Sequence, residues 1–372
     1  MVSFPENRIP VIASVCLFFS LSVFFACTAL RKTGKSGYSN DLVPYEIKRV
    51  ARVTGKTQPG EHLPNPNQTH DRYDVGGTDL GIAWDMGHGK TGLLFGDTYG
   101  KDWEPVKEGG PGRAGNWRSN VLGITEDRQL EDGITFSSMV SHELIPSSHI
   151  VDGSGSHTAI PTAAVNIAGV DYVHFMDIRK WGGPGSWETN YSGLYRSFDK
   201  GMRWEKCNEI RFSATSNFAQ IAYAKKSGYV YMTGTVSGRW GGICLARFKE
   251  SDILKLERYE YWSKTKGWVL KDEKAADPII DAPAGELSLA YNSRFRRWMI
   301  TYLNEDRHQL VLRTAKEING IWSAEQTLAN AAEYPGLYGA FIYPGYENTD
   351  EFFFLMSMWQ PYNVFLMKAR LK

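Results

Sequence analysis

From residue 70 onward, short apolar segments alternate with turns rich in glycine, asparagine and lysine, without a sustained 3.6-residue periodicity. Segments of this length, bounded by such turns, predict β-hairpins rather than helices. Only Ser251–Glu257 has a pattern that suits a short helix. The sequence therefore predicts an all-β protein.

The predicted strands fall into five similar units, each with a hairpin, a third strand and usually a fourth. The hairpin strands are predicted at Thr78–Met86 and Thr91–Asp97, Ala159–Ile167 and Asp171–Asp177, Phe218–Ala224 and Tyr229–Thr235, Leu287–Tyr291 and Trp298–Leu303, and Ala340–Tyr343 and Phe352–Met358. The fourth strand of unit three is expected at Tyr259–Trp262 or Trp268–Leu270, and that of unit four at Ile321–Gln326. Repeated four-stranded units are typical of propeller blades.

The last unit is incomplete, because the chain ends after a third strand at Val364–Arg370. Ile47–Val53 precedes the first unit and has no other strand to pair with, so we expect it to supply the missing strand. An open sheet edge promotes aggregation, and a seam between the two chain ends removes it. Two sandwich domains would also contain many strands but would not explain the incomplete unit. The sequence thus predicts a five-bladed β-propeller over residues 45–372.

One motif supports the propeller independently. Ser197, Asp199, Gly201 and Trp204 fit the S-x-D-x-G-x-x-W pattern of the sialidase-type Asp box. In that pattern the aspartate caps the turn between the third and fourth strands of a blade, and the glycine supplies an unusual backbone angle. The tryptophan packs between blades. We expect Asp199 to be structural, because the box lies away from an active site.

The first hairpin, GGTDLGIAWDMGHGKTGLLFGDTYG, turns at Gly87-His88-Gly89. Counting outward from His88 in an antiparallel pair places Asp79 opposite Asp97. Two like charges about 5 Å apart repel by about 3 kcal/mol at an effective dielectric constant near 20, which raises one pKa by roughly two units. Two carboxyl groups with separated pKa values suit acid–base catalysis at a sugar, and the alternative is a pair of turn-capping aspartates.

First strands begin, and second strands end, at the same mouth of a propeller channel. This rule brings Glu286 and Asp177 to the rim that carries Asp79 and Asp97. A group of carboxylates at a channel mouth is the layout of a glycosidase site. The remaining candidates for substrate binding on this rim are Asn120, His157, Trp181, Trp187 and Tyr338.

Some of these residues equally suit structural roles. Glu286 and Asp177 could form structural ion pairs with Arg179, Arg294 or another neighbouring residue. His157 could hold a structural hydrogen bond. The sequence alone leaves both alternatives open for each residue.

Composition narrows the range of partners. A net charge of +1 gives no support for binding to nucleic acid or to an anionic membrane surface. Aromatic residues make up 13% of the chain, and aromatic rings suit the apolar faces of sugars. Trp181 and Trp187, in WGGPGSW, either stack on a sugar or hold their loop. The chain lacks a Cys/His metal spacing, a phosphate-binding glycine loop and a G-x-S-x-G elbow, so neither metal nor cofactor is expected.

The N-terminus predicts export. Arg8 precedes the apolar run Ile9–Ala26, which is short for a membrane span and typical of a signal peptide. Cys27 follows at once, so residues 1–27 predict a lipoprotein signal with lipidation at Cys27, although Phe25 departs from the usual small aliphatic pattern. A plain secretory signal and an uncleaved anchor are the alternatives. Residues 28–44 are polar and predict a tether.

Export with a lipid anchor would place the domain at a bacterial outer membrane or cell surface. Without the anchor it would be periplasmic or secreted. The lipid would be its only membrane contact. Cys207 and Cys244 are the only cysteines beyond this segment, which is too few for a disulfide scaffold.

Four motifs together resemble one family: GGTDLG at Gly76–Gly81, LFGDTY at Leu94–Tyr99, WRSN at Trp117–Asn120 and GELS at Gly285–Ser288. That family was long a domain of unknown function and is now recognised as endo-D-arabinanases. These five-bladed propellers cut the D-arabinan of mycobacterial arabinogalactan and lipoarabinomannan. The resemblance covers residues 45–372, and it implies a catalytic role for Asp79 and Asp97.

The sequence therefore predicts a glycoside hydrolase that cuts internal arabinofuranosyl linkages, with Glu286 as a third carboxylate and possible acid. Carboxyl groups about 5–5.5 Å apart suit retention and about 6.5–9.5 Å inversion, and both outcomes stay open. One alternative is a non-catalytic glycan-binding propeller, which would keep the aromatic residues and lose the acid pair. The other is a sialidase-like hydrolase, which needs an arginine cluster and a tyrosine nucleophile.

Overall fold

The computed structural model describes residues 41–105, 109–111 and 115–372. The predicted signal peptide, Cys27 and most of the predicted tether lie outside these residues. Asp41–Lys372 forms one compact unit. None of the helices in the described part of the chain is long and apolar enough to cross a membrane.

In the described residues the strands form five sheets, each of which is one blade of a propeller. Strand β1 (Pro44–Arg52) precedes the first blade. Blade one comprises β2 (Leu80–Gly87), β3 (Lys90–Phe95), β4 (Val121–Thr125) and β5 (Ser138–Val140). Blade two comprises β6 (Thr158–Ile167), β7 (Val170–Trp181), β8 (Trp187–Ser197) and β9 (Glu205–Ser213).

Blade three is the largest and comprises β10 (Gln220–Lys226), β11 (Tyr229–Thr235), β12 (Gly241–Lys249), β13 (Glu260–Ser263), β14 (Gly267–Leu270) and β15 (Ile280–Ala284). Blade four comprises β16 (Leu287–Asn292), β17 (Arg297–Asn304), β18 (Gln309–Ala315) and β19 (Gln326–Asn330). Blade five comprises β20 (Leu337–Ile342), β21 (Glu351–Met358) and β22 (Asn363–Leu371), together with β1. The helical segments are α1 (Thr69–Tyr73) and 3-10 turns at Leu130–Asp132, Glu250–Asp252, Leu256–Arg258 and Glu273–Ala275.

Strand β1 seals the ring, which confirms the prediction of closure across the two ends of the domain. It pairs antiparallel with β22, so that Arg52 lies opposite Phe365. The Arg52 side chain is buried and donates hydrogen bonds to Asn363 Oδ1 at 2.7 Å and to Glu61 Oε2 at 2.8 Å. Backbone pairing and a buried side-chain network therefore both hold the seam.

The first strands of the five blades surround the channel. Strands β2, β6, β10, β16 and β20 contact one another in this order, and β20 also contacts β2. One lining residue from each blade illustrates the channel wall: Ala83, Ala163, Ala222, Ser288 and Phe341. Small side chains predominate because five strands converge on one axis. The mouth of the channel at which these strands begin carries the candidate site.

Two predicted elements differ from those observed. The fourth strand of blade four is β19 rather than Ile321–Gln326, because Ile321 lies in a loop and is 95% exposed. Trp322 Nε1 donates to Ile318 O at 3.1 Å, so this tryptophan anchors a turn rather than a strand. Where the sequence predicted a helix at Ser251–Glu257, the chain forms two short 3-10 turns, Glu250–Asp252 and Leu256–Arg258. In blade three both alternative strands are present, and they form the hairpin β13–β14.

The Asp box forms the turn from β8 to β9. Asp199 Oδ1 accepts hydrogen bonds from Arg203 N at 2.8 Å and Ser197 Oγ at 3.0 Å. Gly201 has a φ of +85°, and a Cβ there would lie 2.4 Å from a methyl carbon of Leu122 in blade one. Trp204 Nε1 donates to Gly201 O at 3.0 Å. The box is thus a tight, blade-contacting turn, at the end of the channel opposite the candidate site.

Candidate active site

Asp79 lies just before β2 and Asp97 just after β3, so one hairpin carries both aspartates to the channel mouth. Ala83 pairs with Leu93, which is the predicted register. At Leu80, which has a left-handed φ of 67°, the register shifts. A bulge therefore separates the aspartates from the regular ladder, and the predicted direct cross-strand pairing of Asp79 with Asp97 is replaced by a local distortion.

Asp79 retains partial exposure at the channel mouth. The Tyr338 hydroxyl donates a hydrogen bond to Asp79 Oδ2 at 3.0 Å. Oδ1 is buried and has no hydrogen-bond partner within the described residues. A Cβ at Gly96 would lie 2.4 Å from Oδ1, so glycine is needed there to leave space for the carboxyl group. Burial, reinforced by the negative charge of Asp97, raises the pKa of Asp79 to about 8.

Asp97 is buried, and its Oδ1 accepts two hydrogen bonds, from Trp117 Nε1 at 2.9 Å and from Thr158 Oγ1 at 2.5 Å. Burial raises the pKa of Asp97 to about 6, and the two donors limit the rise because they stabilise the charged form. At pH 7 Asp97 is thus mainly ionised, whereas Asp79 is mainly protonated. The two carboxyl groups differ in charge state, as an acid and a base must.

Glu286 lies just before β16 and is held by Arg239. Nη2 and Nε of Arg239 donate to Glu286 Oε1 at 2.8 and 3.1 Å, and Nη1 donates to Glu305 Oε2 at 3.3 Å. The ion-pair partner is therefore neither Arg179 nor Arg294. Hydrogen bonds from a guanidinium to a carboxylate are charge-assisted and therefore strong. Arg239 thus fixes the position of the Glu286 carboxylate at the channel mouth.

Arg239 also links Glu286 to Asp79. Its guanidinium lies 5.3 Å from the ring centroid of Tyr338, the same tyrosine that donates to Asp79. Burial lowers the pKa of Arg239, but the charges of Glu286 and Glu305 outweigh it and raise the pKa above its ordinary value. The guanidinium is therefore a permanent charge in this network.

Asn120 is a correction to the predicted set of sugar-binding residues. Its Oδ1 accepts from Leu144 N and Ile145 N at 3.1 and 2.8 Å. Its Nδ2 donates to Ile145 O and Ala159 O at 2.8 and 2.9 Å. Because all four hydrogen-bonding positions are used inside the protein, Asn120 braces the start of blade two and has no group left for a sugar.

Aromatic rings extend from Asp97 into blade two. The ring of Trp117, which donates to Asp97, lies 5.6 Å from His157. His157 lies 6.4 Å from Trp181, which lies 5.7 Å from Trp187. Trp181 is 40% exposed, so the predicted loop presents a ring to solvent. Asp177, also in blade two, is buried and accepts from Asn190 Nδ2 at 2.7 Å.

A second aromatic group extends from Asp79 into blade five. Tyr338 lies 6.3 Å from Trp359, which is 44% exposed. Blade one lies between blades two and five, so the two aromatic groups leave the aspartates toward opposite neighbours.

Several site residues were missed by the sequence predictions. Trp117 lies in the WRSN motif and Arg239 lies four residues after β11, so the rule that second strands end at the mouth would have found Arg239. His149 has no such signal. It lies in the 141–157 connection, with its ring 4.2 Å from Trp117 and Nε2 3.0 Å from Glu143 Oε1.

Fold and site together define a five-bladed β-propeller with a coupled carboxyl pair at one channel mouth. The chain belongs to the family described as Domain of unknown function (DUF4185), whose model matches residues 64–368. The four sequence motifs lie within the matched residues. The particular activity of endo-D-arabinanases is a separate question.

Known proteins resemble the chain in sequence and in fold. Notoamide biosynthesis cluster protein J' of Aspergillus versicolor is 28% identical over 312 residues, covering 77% of this chain and 82% of the relative. Notoamide biosynthesis cluster protein J of Aspergillus sp. (strain MF297-2) is 28% identical over 315 residues, which cover 77% of this chain and 81% of that relative. A family 117 glycoside hydrolase of the marine bacterium Zobellia galactanivorans has a similar fold, with a TM-score of 0.51 and 12% identity over 87% of this chain and 90% of that one.

Proposed function

We propose that this protein is a glycoside hydrolase that cuts internal arabinofuranosyl linkages of D-arabinan. The observation that carries the proposal is the pair Asp79 and Asp97, whose pKa values of about 8 and about 6 lie on opposite sides of neutrality. A fold gains no stability from two carboxyl groups placed this way, whereas glycoside hydrolysis needs one protonated and one ionised group.

In this proposal Asp79 is the general acid. Its proton passes to the glycosidic oxygen as the bond from that oxygen to the anomeric carbon breaks. Asp97 either attacks the anomeric carbon or removes a proton from the attacking water. Glu286, paired with Arg239, is the third carboxylate of the site and would oppose the positive charge of the oxocarbenium-like transition state. Following the anomeric configuration of the first product by NMR distinguishes the two roles of Asp97.

Cleavage within a chain requires sugar units to bind on both sides of the reacting bond. The exposed rings of Trp181 and Trp359 support such an arrangement. Trp181 belongs to the aromatic group that begins at Asp97, and Trp359 belongs to the group that begins at Asp79. A neutral sugar offers no charge, so binding would depend on aromatic faces and hydrogen bonds and would respond weakly to salt. Replacing Trp181 or Trp359 by alanine should weaken polymer binding by about 1–3 kcal/mol where the ring stacks on a sugar.

The choice of D-arabinan rests on the resemblance of the GGTDLG and FGDT motifs to endo-D-arabinanases. The names of the fungal relatives refer to a biosynthesis cluster and name no sugar. The likeness to the family 117 enzyme concerns the fold alone. Substrate identity is therefore the part of the proposal that most needs an experiment.

The test is to incubate purified protein with the D-arabinan of arabinogalactan and to size the products over time. Endo-hydrolysis predicts an early fall in polymer length and a series of oligosaccharides, absent with Asp79→Asn. Binding of the polymer without any shortening would instead favour the glycan-binding propeller. Release of sialic acid from a sialylated glycan would favour the sialidase-like alternative, and inertness toward all these glycans would overturn the proposal.

We further propose that the protein is exported and held by lipid at Cys27. The proposal rests on the apolar run that ends at Ala26, directly before this cysteine. Mass spectrometry of the N-terminus of the mature protein tests it. A diacylglyceryl-modified Cys27 is expected, and an unmodified secreted chain or an uncleaved N-terminus would contradict it.

A further inference from the structure

The loop that joins β11 to β12 in blade three contains both the mostly buried Arg239 and the exposed Trp240. Arg239 points toward the carboxylates, where it binds Glu286 and Glu305. Trp240 is 48% exposed, although it is one of the largest apolar side chains. Single exposed apolar residues are common on protein surfaces, so exposure alone does not assign Trp240 a role, and its position and contacts must do so.

Hydrogen bonds to the blade-two loop fix the position of Trp240. Trp240 Nε1 donates to Ser186 Oγ at 3.3 Å, and the backbone N–H of Arg239 donates to Gly185 O at 2.9 Å. The hydroxyl groups of Ser237 and Thr189 lie 2.8 Å apart. The indole is therefore held with its orientation set before any ligand arrives, which reduces the entropy lost on binding.

The two tied loops also adjoin the aromatic group of blade two. Gly185 and Ser186 belong to the same turn as Trp187, whose ring lies 5.7 Å from Trp181. Exposed indole rings thus occur on neighbouring blades, and hydrogen bonds connect the loops that carry them. Along the channel blade two adjoins blade one, whereas β10 of blade three contacts β6 and β16, so Trp240 lies one blade further than Trp181 from the hairpin of Asp79 and Asp97.

We infer that Trp240 forms a distal sugar subsite, which binds a furanose unit several residues from the bond that is cut. This inference rests on the proposed function, because the occupant is the same neutral polysaccharide. A glycan fits this surface better than an anionic partner does, since the charge of Arg239 is already engaged by two carboxylates and the tryptophan offers an apolar face with its N–H engaged.

A distal subsite acts only on chains long enough to reach it. We therefore expect Trp240→Ala to weaken binding of a long D-arabinan oligosaccharide about tenfold and to leave di- and trisaccharides unaffected. Affinities are measured by calorimetry in an Asp79→Asn background, which prevents turnover. Trp240→Phe, which keeps an aromatic face, should restore most of the affinity.

Phe198→Ala is the matched control, because Phe198 is also an exposed aromatic residue (61%) but lies in the Asp box at the other end of the channel. It should bind long oligosaccharides like the parent. Equal affinity of Trp240→Ala and parent for long chains would overturn the subsite while leaving the proposed function intact. A parent that binds no D-arabinan of any length would overturn both.

Discussion

The hydroxyl of Tyr338 in blade five lies 3.0 Å from Oδ2 of Asp79 at the start of blade one. Its hydrogen bond stabilises the ionised form of Asp79 and so works against the burial that raises the pKa of this group. The ring of Tyr338 also lies under Arg239. Asp97 in blade one, Glu286 at the start of blade four and Tyr338 in blade five jointly set the proton affinity of Asp79.

This relationship predicts the effect of Tyr338→Phe on the pH profile. Activity requires ionised Asp97 and protonated Asp79, so kcat/KM should be maximal between about pH 6 and 8. Loss of the phenol removes a group that favours ionised Asp79. The alkaline limb should consequently move to higher pH, while the acid limb stays in place. An unmoved alkaline limb would show that Asp79 is not the group that titrates there.

Asp79→Asn and Asp97→Asn should each abolish hydrolysis and leave the fold intact. Asparagine keeps the size of the side chain but can neither give up nor carry the required proton. Asp85→Asn is the control, because Asp85 is an exposed residue of the same hairpin that caps the turn through Gly87 N. Product sizing measures all three variants, and near-native turnover by either active-site variant contradicts the assignment.

Asp79 should also make the stability of the protein depend on pH. Its pKa is raised from 3.8 to about 8, so the folded state binds this proton more tightly than the unfolded state does. Stability contributed by the protonated group is therefore lost as the pH rises from about 4 to about 8. Asp79→Asn lacks this loss, so the melting temperature of the variant should increase relative to that of the parent as the pH rises. Parallel curves for both proteins would refute the raised pKa.

Arg239→Met should destabilise the protein strongly. The change leaves Glu286 and Glu305 as mostly buried charges without their cation, a situation that costs about 3–5 kcal/mol. Lys56→Met removes an exposed partner of Glu104 and should cost less than about 1 kcal/mol. Urea unfolding compares the two variants. Similar losses from both would mean that Arg239 is not the centre of a buried charge network.

Removal of β1 should expose the edge of blade five. A chain that begins at residue 41 keeps β1 and should melt cooperatively. A chain that begins at residue 56 leaves β22 without its antiparallel partner and should aggregate. Light scattering during refolding separates the two. A soluble, cooperatively melting short chain would show that the seam is dispensable.

Local patterns were sufficient to predict the blades. The hairpins of all five blades were predicted near their observed positions, because a strand of alternating side chains and a glycine turn are properties of neighbouring residues. The closing role of β1 followed from counting strands. The order of the chain through the blades also predicted that Asp79, Asp97 and Glu286 share one channel mouth.

Errors arose where a side chain's environment overrode its local pattern. Ile321 and Trp322 resemble a strand in sequence, but the indole of Trp322 bonds within a turn, and β19 begins only at Gln326. Asn120 looked available to a sugar, whereas backbone groups distant in sequence occupy its amide. Such partners cannot be read from spacing along the chain.

The sequence by itself determined the number of blades and the pair of aspartates on one hairpin, because the hydrogen bonding of a hairpin is local. It also determined the seam between β1 and β22, because the count of strands left the last blade one strand short. Only the tertiary structure decided that Asp79 holds its proton more tightly than Asp97 and that Glu286 belongs to Arg239. Those properties depend on burial and on charges brought together from different blades. Desolvation and Coulomb energies depend on distances in space, and these distances are not given by the order of residues along the chain.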